Sequence, residues 1–90
     1  MCNQEYNDLI LSIDNLCNHL QLLLDVTNVS ALVDNWLQIN KLTNQIKKEF
    51  DNLITRFGKE FISNQKDYDL IYNDLKECNQ AFRTAERIIK

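Results

Sequence analysis

The sequence predicts an all-α fold, an antiparallel three-helix bundle with coiled-coil-like heptad packing. Three observations carry the prediction. The 90 residues contain no proline and one glycine, which disfavours a turn-rich β protein and permits long uninterrupted helices. Apolar residues recur at alternating steps of three and four over three stretches, the spacing of a bundle seam. No strand period competes over those lengths. Ninety residues make one domain, 1–90, at the small end of what supports its own core.

The first helix is expected over about 4–25. Tyr6, Ile10, Ile13, Cys17, Leu20 and Leu24 form its stripe, and Leu9, Leu16 and Leu23 widen one flank. Residues 26–30 break the pattern with β-branched and capping residues, and Ser30 reads as the N-cap of the second helix. The second helix runs over 31–58 or 31–62, with Leu32, Trp36, Ile39, Thr43, Ile46, Phe50, Leu53 and Phe57 at steps of four and three. Trp36, on that stripe, is expected to be buried. Gly58 either closes the helix in a left-handed conformation or is passed through to Ile62. The third helix is expected over 65–89, its stripe being Tyr68, Ile71, Leu75, Cys78, Phe82, Ala85 and Ile89. At 1.5 Å per residue the three span roughly 33, 42–50 and 37 Å, and short connections make neighbours antiparallel.

Net charge is −3, with no general drive toward nucleic acid or an anionic membrane. The first half holds Glu5, Asp8, Asp14, Asp25 and Asp34 against Lys41 alone. The basic excess gathers at Arg83, Arg87 and Lys90, where cations suit a helix C-terminus. The three cysteines, Cys2, Cys17 and Cys78, are no disulfide framework, and two of them fall on apolar stripes. A reducing, cytoplasmic setting is expected. The longest apolar run, residues 22–24, is too short to cross a bilayer, and the polar, acidic start is unlike a secretory signal.

No motif of catalysis or cofactor binding stands out, so neither an enzyme nor a metal or cofactor site is expected. His19 projects away from its stripe, with no glutamate three residues before it. Cys17 and Cys78 are expected among leucine and aromatic side chains, away from any activating base. Asp67, Asp69, Asp74 and Glu77, set among Lys66 and Lys76, read as a solvated surface.

Two surfaces remain. Lys41, Lys48 and Lys59 share the outer face of the second helix with Asn52 and Thr55, a thin arginine-free stripe and the best nucleic-acid candidate. The other is apolar residues on the wrong side: Leu11 and Leu22 on the first helix, Val33, Leu37 and Ile62 on the second, Leu70 and Ile88 on the third. Between Leu11 and Leu22 the outer face is neutral (Asn15, Asn18, His19, Gln21), and neutral polar groups desolvate more cheaply than charged ones. The expected function is a non-catalytic interaction module: an adaptor, chaperone-like subunit or small inhibitor that binds a helical protein or a second copy of itself. Its candidate interface residues are Leu11, Asn15, Asn18, Leu22, Val33 and Leu37.

Overall fold

In the computed structural model, which describes residues 4–90, helix accounts for 91% and no strand occurs among the described residues. Cys2 lies outside them. Four helices follow one another: α1 (Gln4–Leu23), α2 (Val29–Asp34), α3 (Trp36–Ser63) and α4 (Gln65–Ile89). α1 and α4 match the predicted first and third helices closely, with α1 ending two residues early.

The predicted second helix is two helices. The break is Asn35, whose backbone sits at φ −92°, ψ 1°. Asparagine competes for its own backbone through its side chain, and the exposed β-branched Val29 and Val33 hold the preceding turn only weakly. Asn35 closes one helix and opens the next: its N–H donates to Ala31 O at 2.9 Å and its carbonyl accepts from Ile39 N–H at 2.8 Å. Asn28, rather than Ser30, caps α2, its side chain accepting from Ala31 N–H at 3.1 Å. Asp25 braces the connection by accepting from the Thr27 hydroxyl and N–H, which holds its carboxyl below the ordinary range.

α3 passes through Gly58, which has no positive φ, and ends at Ser63. Its irregularity is one residue earlier: Phe57 leaves helical geometry at φ −134°, ψ 26°. The Phe57 ring packs edge-on to Tyr6 at 5.7 Å, and the Arg56 guanidinium lies over it at 5.1 Å. α4 begins under an Asn64 cap, the side chain accepting from Asp67 N–H at 3.1 Å.

Long-range contacts give the directions. Glu5 in the first turn of α1 pairs with Arg56 late in α3, and the Tyr6 hydroxyl donates to Asp67 at the start of α4 at 2.8 Å. Farther along α1, the Cys78 thiol of α4 reaches the Cys17 carbonyl. α3 therefore runs opposite to α1, while α4 runs along with it. The core comprises the α1 stripe with Leu32, Ile39, Leu42, Ile46, Leu53, Phe61, Ile71, Cys78 and Ala85. Leu42, absent from the predicted stripe, belongs to it, three residues after Ile39 and four before Ile46. Trp36 and Phe50 are half-buried instead of enclosed. Trp36 stacks on Phe82 at 5.2 Å at one end of the molecule, and Tyr68, expected inside, is exposed and stacks on Tyr72 at 6.0 Å.

Candidate interaction surface

Exposed apolar side chains gather both where α1 hands over to α3 and around the α3–α4 turn, where Ile54, Ile62, Tyr68, Leu70 and Tyr72 are exposed. On α1, steps of four, three and four put Leu11, Asn15, Asn18 and Leu22 in one line on the solvent side, with Leu11 57% and Leu22 78% exposed. His19 is exposed beside them. Beyond the end of α1, Val26, Val29 and Val33 are all exposed, and Leu37 in the first turn of α3 is 71% exposed. The Asn35 junction separates Val33 from Leu37, so these two stand on different helices. In the sequence pattern Val26 and Val29 mark only a helix break. The signal for Val29 is its i, i+4 spacing from Val33 on α2.

Leu32, 1% exposed, is the one residue by which α2 enters the core. A six-residue helix is too short to hold itself together in water. α2 is thus a small platform with one apolar anchor inward and its valines outward. Solvated valine and leucine contribute nothing to the isolated fold, and covering them releases free energy in proportion to the area removed from water.

The three lysines are exposed along α3, Lys41 and Lys48 before the Phe57 kink and Lys59 after it. The bend divides the stripe, and no arginine joins it.

A second feature lies inside, along the seam of α1 with α4, where polar layers alternate with apolar ones. Tyr6 meets Asp67, and burial, then that hydrogen bond, push the phenol pKa up. Two turns on, Asp74 is half-buried with its Oδ2 unpartnered. Burial first, then its hydrogen bond to Asp14, raise its pKa to about 7. The predicted solvated row thus has two half-buried members, Asp67 and Asp74. Next come Cys17 and Cys78, both buried and both free thiols. Gln21 then donates to Glu77 at 3.3 Å. Beside this seam a groove of about 320 Å³ opens between α3 and α4, floored by Leu20, Ile46, Leu75 and Phe82 and edged by Lys47 and Asn79.

No three His, Cys, Asp or Glu side chains among the described residues are grouped so as to hold a metal ion. No helix among them is long and apolar enough to cross a membrane. No family model, curated protein or solved structure matches this chain.

Proposed function

We propose that this protein is a non-catalytic, cytoplasmic interaction module, an adaptor, chaperone-like subunit or small inhibitor. It binds another helical protein or a second copy of itself. Its body is an antiparallel three-helix bundle of α1, α3 and α4 with coiled-coil-like heptad packing, and α2 is a short step between two of them. The observation that carries the reading is the run of exposed apolar residues Leu22, Val26, Val29, Val33 and Leu37, flanked on α1 by Leu11 and the neutral Asn15 and Asn18. An amphipathic helix laid along Leu11, Asn15, Asn18 and Leu22 gains apolar contact across a neutral strip, while Asp25 and Asp34 stand exposed farther along the run. Each leucine fully covered contributes roughly 1.5–3 kcal/mol, so two decide between free and bound states.

The test is Leu22→Asp combined with Leu37→Asp, studied by light scattering and by affinity capture from the host, against wild type. Both side chains project into solvent, so helix content by circular dichroism stays the same. Association, with itself or with the captured helical protein, falls by a hundredfold or more, the equivalent of about 3 kcal/mol. Unchanged association in a folded double variant refutes the reading. A salt-dependent mobility shift with DNA or RNA, abolished by alanine at Lys41, Lys48 and Lys59, replaces it with nucleic-acid binding along α3.

A further inference from the structure

We propose that Cys17 and Cys78 form a dithiol–disulfide site, in which a small disulfide of the glutathione class converts the pair into a covalent link between α1 and α4. The two residues face each other across the seam. Cys78 Sγ sits 3.2 Å from the Cys17 carbonyl oxygen, so the sulfur already lies against the Cys17 backbone. The helices run in the same direction there, and the offset of 61 residues that pairs Tyr6 with Asp67 also pairs Cys17 with Cys78. The bond to be closed between the two sulfurs is about 2.05 Å long.

Access is asymmetric. Cys17 is fully enclosed, whereas Cys78 is 5% exposed and lines the groove between α3 and α4. A reagent entering that groove meets Cys78 first, with the Lys47 ammonium at its edge to attract an anionic tripeptide. The electrostatics give the same order. The hydrogen bond with Cys78, and then burial, push the Cys17 thiol pKa up.

The chemistry balances. The Cys78 thiolate attacks one sulfur of oxidised glutathione, breaking its disulfide, forming a mixed disulfide and releasing one glutathione thiolate. The Cys17 thiolate then attacks the Cys78 sulfur and expels the second glutathione thiolate. The two thiol protons pass to the two departing thiolates, and the protein's two-electron oxidation matches the reduction of one glutathione disulfide to two thiols. Glutathione in its reduced form reverses both steps.

The experiment incubates the full chain with oxidised glutathione at pH 8, alkylates it with iodoacetamide in denaturant, and reads intact mass and a peptide map. The expected product is a monomer with the Cys17 and Cys78 peptides joined, that pair two hydrogens lighter, and with Cys2 either alkylated or carrying one glutathione. It melts at a higher temperature than the reduced protein. Cys17→Ser should stop at a glutathione adduct on Cys78, and Cys78→Ser should form no internal link. Alkylation of all three cysteines, a link through Cys2, or covalent dimers overturns the proposal. The map on wild-type protein decides the question even where a serine variant fails to fold.

Discussion

Asp74 shows how a single side chain can set the pH response of a helical protein. Its folded pKa of about 7 stands above the ordinary value of 3.8, so the folded chain binds a proton that the unfolded chain releases. Its stabilising effect is fully present below the unfolded value and is lost as pH rises through about 7. Calorimetry from pH 4 to pH 8 should record a falling melting temperature, and Asp74→Asn should flatten that fall and raise the melting temperature at pH 8. A variant that melts below wild type at pH 8 means the carboxylate is solvated and paired. The residue is legible in principle. Asp74 stands three residues after Ile71 and four before Cys78, and Asp14 four after Ile10 and three before Cys17, so both lie on seam positions. Reading charge as surface conceals them, because neighbouring Lys66 and Lys76 make the segment look uniformly solvated. Leu42 escapes for a related reason: a stripe drawn one residue wide cannot hold a core face that is two residues wide.

Among the elements, the periodic ones and the connections on either side of them are legible in the sequence, and the Asn35 junction is not. The step of three and four locates α1 and α4 because it reports burial, which is what holds those helices together. It runs straight across Asn35, since Leu32, Trp36 and Ile39 keep their steps of four and three through the break. Gly58 presents two alternatives that composition alone cannot separate, and helical φ with no left-handed turn selects the longer helix. That backbone has a measurable consequence. A Cβ built at Gly58 meets nothing within 4 Å, so Gly58→Ala should stabilise the fold by about 0.5–1 kcal/mol, chiefly by restricting the unfolded chain. Thermal melting of the single variant checks it, and a loss of stability would mean that the Phe57 kink depends on glycine beside it. α2 is invisible to periodicity because six residues hold fewer than two turns.

At the scale of the whole molecule, the all-helical class follows from composition and period together, and the body measures 47 × 19 × 17 Å. The apolar outer face is partly legible: Leu11, Leu22, Val33 and Leu37 stand out by projection alone, and all four are solvent exposed. The thiol pair is not, since two cysteines 61 residues apart become neighbours only through the parallel course of α1 and α4. That same parallel course governs how the chain assembles. Antiparallel neighbours close by shorter excursions, but joining α1 to α4 means closing a separation of 61 residues, and the entropy of that closure comes before any reward. The pairing of α1 with α3 should therefore be formed in the transition state, and the α1–α4 seam should zip up after it. Leu53→Ala, in the buried face of α3, should slow folding, whereas Ile71→Ala, in the buried face of α4, should mainly hasten unfolding, each at a cost of about 2–5 kcal/mol. Stopped-flow measurement of both limbs of the chevron separates the two, and the reverse pattern would place the nucleus at the chain ends. A seam that closes last also opens first, so the thiols and Asp74 meet solvent in fluctuations far smaller than unfolding.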